Sequence, residues 1–191
     1  MLLGDSITEG FWWNNISGCL AINAGFGGAR IHDLAGLVGS FASTTKPKHV
    51  HIMIGTNDLF VPASDPYLQT LDADLDTIVT AFTAQGSEVI LWPIPPYAQS
   101  QSSVVPAGRR EAINAAIFRV ATARSVWWDW WWPNTITVGT VTGATVASGY
   151  AAAGSLNGDG VHLSAASQVS RFNRLVTWNT YIKQQTGTAC N

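Results

Sequence analysis

A chain of 191 residues is long enough to form one domain around a sizeable core, and a single domain spanning residues 1–191 is the expectation. Hydrophobic residues make up 47% of it and charged residues only 12%, which excludes disorder, while no apolar run approaches the ~20 residues of a membrane helix. The formal net charge is -2, with ten Lys and Arg scattered singly or in pairs, so the basic stripe that a phosphate backbone requires is missing. No nucleic-acid partner and no membrane span are expected.

The two cysteines, Cys19 and Cys190, lie near opposite ends of the chain, without the close pairing of metal or redox motifs. They leave two states open, one disulfide or two free thiols. Nine tryptophans against three lysines, with abundant Ala, Gly, Ser and Thr, lean toward an exported protein.

Short apolar runs mark five strands in chain order: Leu2-Leu3, Leu20 to Ile22, Val50 to Ile54, Val89 to Trp92 and Val126 to Trp131. Helical period fills the gaps. Leu68, Leu71, Leu75, Ile78 and Phe82 step by three and four, as do Ile113, Ile117 and Val120. Ser164 is a candidate N-cap for a closing helix through Ala165, Val169, Phe172 and Val176 to about Gln185. Alternating strands and helices imply a parallel sheet, and strands buried on both faces lose the period of two. The stretch from Thr135 to Asn157, rich in small residues, reads as a long surface excursion.

In such a sheet the loops after the strands share one edge, so distant residues meet there. That edge collects Asp5-Ser6, the loop from Asn23 to Arg30, and Gly55-Thr56-Asn57-Asp58, with Asn157-Gly158-Asp159-Gly160-Val161-His162 just before the last helix. A hydroxyl, glycine backbone, a carboxamide, a carboxylate and an imidazole are the groups that acyl transfer needs. A serine beside Asp and Thr at a helix start also suits an N-cap.

These four blocks, GDSIT, the glycine of NAGFGGAR, GTND and DGVH, occur in the order found in the SGNH hydrolases, or GDSL-type esterases, and the chain resembles that family from residue 4 to residue 162. The resemblance implies a three-layer α/β/α fold, flavodoxin-like and doubly wound about a five-stranded parallel sheet. It implies Ser6 as nucleophile, His162 as the base that takes its proton, and Asp159 as the acceptor that fixes the imidazole tautomer. The oxyanion would be held by the backbone N–H of Ser6, a backbone N–H of the glycine loop and the side-chain amide of Asn57. Gly28, five residues after Asn23, fits the family's spacing best, with Gly27 in reserve. Ile7 stands where the family often carries Leu. No metal and no cofactor are implied, and the partner would be a small-molecule or carbohydrate ester.

Other motifs fail on their own terms. Arg30 stands where a dinucleotide fingerprint needs its last glycine, Thr8 where the G-x-S-x-G elbow needs one, and NGDGVH has no second carboxylate at calcium-loop spacing. His32, His49 and His51 read as structural, Arg30 and His32 as a solvated helix face, Asp58 as a turn-orienting residue beside Asn57, and Asp5 as a brace for the nucleophile loop. Trp127, Trp128, Trp130, Trp131 and Trp132 read as strand packing, and Trp12 and Trp13, just after the nucleophile, as pocket lining. The function expected is hydrolysis of short-chain carboxylic esters, including O-acetyl groups on carbohydrate, through an acyl-enzyme on Ser6. A non-catalytic carbohydrate-binding module on the same fold and a lysophospholipase or lipase with longer acyl preference are the alternatives.

Overall fold

The computed structural model describes residues 1–129, 150–151 and 154–187. Trp130 to Trp132, most of the Thr135 to Asn157 stretch and Cys190 lie outside the described residues. In chain order the elements are β1 (Leu2–Gly4), α1 (Ser6–Glu9), β2 (Asn15–Ile16), β3 (Cys19–Leu20), β4 (Asn23–Gly25), α2 (Ile31–Thr45), β5 (His49–Met53), α3 (Leu71–Thr83), β6 (Glu88–Leu91), α4 (Arg109–Arg124), β7 (Trp127–Trp128) and α5 (Ala165–Thr186). Five of the strands form one parallel sheet in the order β4-β1-β5-β6-β7, a doubly wound arrangement with β1 next to the point where strand order reverses.

Alternation along each strand divides the core into two. Leu3, Val50, Ile52, Val89 and Leu91 face Ile31, Leu34 and Val38 of α2, Leu75, Ile78 and Phe82 of α3, and Ile113 and Ile117 of α4. Their neighbours Leu2, Met53 and Ile90 face Ile7 of α1 and Leu175 and Ile182 of α5, with Trp92 wholly buried among them. Both sheet faces are thus covered, giving the three-layer α/β/α fold.

The second sheet strand is not where the apolar run Leu20 to Ile22 places it. Leu20 instead ends a two-stranded antiparallel hairpin, β2 with β3, whose turn residues Ser17 and Gly18 both have positive φ (57° and 81°). Leu20 and Ile22 are exposed, and the sheet takes Asn23-Ala24-Gly25 at its edge. Asn23 holds that edge with polar bonds: its Nδ2 donates to the carbonyls of Thr8 (2.9 Å), Glu9 (3.2 Å) and Phe11 (2.7 Å), and its Oδ1 accepts from Gly25 N–H (2.9 Å). Hydrophobic patterning does not register a strand fixed by one carboxamide.

Leu68 likewise falls outside the helix that its spacing suggests. Pro66 to Gln69 form a 3₁₀ turn capped by Asp65, and α3 starts only at Leu71. Ser164 does cap α5, accepting from Ser167 N–H at 3.3 Å. Cys19 is in a disulfide rather than a free thiol.

His49 and His51 point to the α5 face, where both rings bond the Oδ1 of Asn179 at 3.2 and 3.0 Å. Trp92 Nε1–H donates to His51 Nδ1 at 3.2 Å, so Nε2 carries the His51 proton toward Asn179. Burial holds the His51 pKa down to about 3. The unfolded chain, with imidazole at ~6.5, therefore binds a proton that the native state refuses between those values, and His51 contributes stability that is lost as pH falls below ~6.5. Buried Asp58, pushed up to about 6, and buried Asp5, also pushed up, act in the opposite sense. The His51 contribution is isolated by comparison: the change in Tm from pH 7 to pH 5 should be less unfavourable in His51→Gln than in wild type, and an identical pH dependence in the two would contradict this account.

Candidate active site

The end of β1 is built for close approach. A Cβ on Gly4 would stand 2.0 Å from the carbonyl oxygen of Met53 and 2.5 Å from Thr8 Oγ1, so only glycine lets the chain turn directly from β1 into α1 against the end of β5. Asp5, fully buried, caps that turn: its Oδ1 accepts from Ile7 N–H (3.0 Å) and its Oδ2 from Thr56 N–H (3.3 Å). One carboxylate thus ties the Ser6 turn to the Thr56-Asn57 turn, and the cap is Asp5, which leaves the Ser6 side chain free. Burial pushes the Asp5 carboxyl up, opposed by these N–H donors and by the charge of Arg171.

Arg171 of α5 lies beneath α1, donating to Ile7 O and to Thr8 Oγ1, both at 3.2 Å. Its burial lowers the guanidinium pKa to about 10, with the Asp5 charge resisting. Nothing in the sequence blocks marks this residue; a lone arginine on the inner face of the last predicted helix was the only signal.

From the other side comes the loop before α5. Asn157 N–H donates to His162 O (2.8 Å) and Gly160 N–H to Asn157 O (3.0 Å), closing the DGVH segment on itself. Ala98 N–H to Gly160 O (2.8 Å) and Gln101 Nε2 to Asp159 O (2.9 Å) brace it from the loop after β6. Asp159 Oδ1 accepts from the N–H groups of Val161 (2.9 Å) and His162 (3.0 Å), and its Oδ2 lies 2.7 Å from His162 Nδ1. What burial the Asp159 carboxyl has works to raise its pKa, but the two backbone donors and the imidazole outweigh it and hold it below the usual carboxylate range. An ionised carboxylate only accepts, so Nδ1 carries the ring proton and Nε2 is left to accept from Ser6 Oγ–H, 2.8 Å away. Ser6 and, 156 residues on from it, His162 with its neighbour Asp159 form one hydrogen-bonded line.

The glycine loop forms a turn from Phe26 to Ala29, closed by Ala29 N–H to Phe26 O at 3.1 Å. Its third position requires positive φ, and Gly28 supplies it at 77°. The N–H groups of Ser6, Gly27 and Gly28 make no hydrogen bond among the described residues. Asn57 Nδ2 donates to Ala29 O at 2.8 Å, tying the GTND turn to the residue after Gly28 and leaving its second amide proton available. Asp58 does more than orient that turn: buried, it accepts from its own N–H and also caps α2 by accepting from Ile31 N–H at 3.1 Å.

A cavity of about 310 Å³ opens beside Ser6, lined by Trp12, Asn157, His162, Leu163 and Gln168 among others. Trp12 borders it, whereas Trp13 lies behind, against Phe11 and Phe172. Arg30 is not on a solvated face, since it pairs with Asp65 at 2.7 Å and covers the Tyr67 ring, on which His32 also stacks at 3.7 Å. Trp127 and Trp128 do pack in the edge strand, against Trp178 and Phe118 respectively. Among the described residues no group of three or more His, Cys, Asp or Glu could hold a metal ion, and no helix is long and apolar enough to cross a membrane.

The profile of the GDSL-like lipase/acylhydrolase family matches residues 2–168. The chain belongs to that family, and it is a carboxylic ester hydrolase of the SGNH type. No protein of curated function matches it. Among solved structures it is similar to the lipase/acylhydrolase from Enterococcus faecalis, at 19% identity and TM-score 0.70, covering 96% of this chain and 94% of that one. It is similar also to a carbohydrate esterase family 3 protein from Talaromyces cellulolyticus (18%, TM-score 0.64, 97% and 98%) and to an acetylxylan esterase from Geobacillus stearothermophilus (18%, TM-score 0.63, 92% of each). At these identities the likeness is one of fold.

Proposed function

We propose that this protein is a serine esterase that removes short acyl groups, acetyl above all, from alcohols through an acyl-enzyme on Ser6. The observation that carries the reading is the line Ser6 Oγ, His162 Nε2, His162 Nδ1, Asp159 Oδ2, with contacts of 2.8 and 2.7 Å. As Oγ attacks the ester carbon, its proton passes to Nε2, and Asp159 steadies the imidazolium that results. The carbonyl oxygen gains negative charge and meets the N–H groups of Ser6 and Gly28 and the second amide proton of Asn57. When the tetrahedral intermediate collapses, the carbon–alkoxide bond breaks and Nε2 returns its proton to the departing oxygen, releasing the alcohol. Water then repeats the sequence on the acyl-enzyme, releasing the carboxylic acid and restoring Ser6.

Two further expectations follow from the geometry. Asp159 stays ionised below the usual carboxylate range, so loss of kcat/KM toward acid should follow uptake of a single proton, with a limiting slope of one. A pH profile with a slope of two would mean that the carboxylate titrates as well. The described loops that carry Ser6, Gly28 and Asn57 hold no long apolar segment to cover an acyl chain. p-Nitrophenyl acetate and butyrate should therefore outrun esters of eight carbons or more. The acetylxylan esterase among the similar structures, an enzyme named for an acetyl ester, favours the same range of acyl groups. A panel of acyl lengths with acetylated xylan tests this, and preference for long chains would replace it with a lipase reading.

A further inference from the structure

The cavity beside Ser6 has a side, and the side determines which half of the ester it receives. His162 Nε2 has to reach both Ser6 Oγ and the oxygen of the leaving alcohol, so the alcohol leaves on the His162 side of the serine. The cavity lining is Ser6 and Ile7 of α1, Gly10 just after it, Trp12, and the segment from Asn157 through His162 into the start of α5, whereas Gly28 and Asn57, on the proposed oxyanion side, take no part in it. It is therefore placed for the alcohol and not for the acyl group.

Its wall is specific. Phe172 of α5, Trp13 and Trp12 form an aromatic ladder, with ring centroids 5.0 and 4.3 Å apart and planes within 30°. Trp13 covers one face of Trp12, while Trp12 itself remains 58% exposed at the cavity. An indole backed by two rings is a flat, pre-positioned platform with room for one further flat ring. In the same cavity lining, the carboxamide of exposed Asn157 makes no side-chain hydrogen bond among the described residues. An apolar plate with a free amide at its margin matches a pyranose, whose axial C–H faces are apolar and whose rim is hydroxyl. A linear acyl chain would leave the amide unpaired.

We infer that Trp12 is the platform for a sugar ring on the alcohol side of the ester, with Asn157 bonding ring hydroxyls, so that the substrate is an O-acetylated pyranoside. This rests on the esterase reading above and narrows it to one alcohol class. The test compares two acetate esters with different alcohols, a mono-O-acetylated methyl β-xylopyranoside and ethyl acetate. Wild type should prefer the xyloside in kcat/KM, and Trp12→Ala should lower the xyloside-to-ethyl-acetate ratio by ~10-fold or more, through KM, with Trp12→Tyr restoring most of it. Free methyl β-xylopyranoside should compete with ethyl acetate in wild type and lose that ability in Trp12→Ala. A ratio unchanged by Trp12→Ala, or equal losses on both esters, would overturn the platform. Wild type that cleaves ethyl acetate but no acetylated pyranoside would overturn it while leaving the esterase reading intact; failure on every ester would overturn both.

Discussion

Ser6→Ala should fold, bind substrate and hydrolyse p-nitrophenyl acetate some 10⁴- to 10⁶-fold more slowly than wild type, the scale on which loss of a serine nucleophile is felt elsewhere. The alanine offers no oxygen to attack, and whatever rate remains comes from water acting beside the oxyanion donors. Stability should scarcely change, because the cap of α1 belongs to Asp5 and the Ser6 hydroxyl makes its hydrogen bond to a partly exposed imidazole. A serine that served as helix cap would behave in the opposite way, losing about 1 kcal/mol of stability with activity intact. Steady-state kinetics alongside thermal unfolding separates the two.

Asn57 carries the second large effect. One of its amide protons is committed to Ala29 O at 2.8 Å, and the other is the proposed donor to the oxyanion. A donor whose bond strengthens as the carbonyl oxygen gains charge acts on kcat more than on KM, and loss of such a donor costs ~10²- to 10³-fold. Asn57→Ala should fall in that range, with a stability loss of about 1 kcal/mol for the bond to Ala29. Asn57→Asp should be at least as damaging: a carboxylate there meets the Ala29 carbonyl and the oxyanion with repulsion in place of two donors. A mild Asn57→Asp, together with an Asn57→Ala of lowered Tm and near-normal kcat, would reduce Asn57 to a tie between two loops.

The residues that sequence blocks brought forward are those whose chemistry is local. Asp159 and His162 sit three apart in a turn that their own backbone closes, and Ser6 follows a strand that can only end at the loop edge. Long, strongly periodic elements were equally legible: α5 begins at its serine cap and runs to Thr186, and the buried runs around Val50 and Val89 became β5 and β6. What escaped was held by polar bonds between distant segments. The edge strand at Asn23 is fixed by one carboxamide reaching back to α1, and the apolar run beside it went to a hairpin whose Ser17-Gly18 turn outweighed its strand character. Arg171 under the nucleophile turn, Asp58 at the start of α2 and Gln101 behind Asp159 act across 27 to 164 residues of chain, which no periodicity records. Arg30 shows the same thing from the opposite side, since its partner Asp65 is 35 residues away and withdraws it from solvent.

The central claim is that Ser6 forms the covalent bond and His162 enables it. Treatment with a serine-directed phosphonate, followed by peptide mapping by mass spectrometry, tests both parts in one experiment. The account predicts one adduct per chain, on Ser6, with labelling greatly slowed in His162→Ala and unchanged in kind by His32→Ala. Adducts on another serine, or labelling of Ser6 at the wild-type rate in His162→Ala, would contradict it.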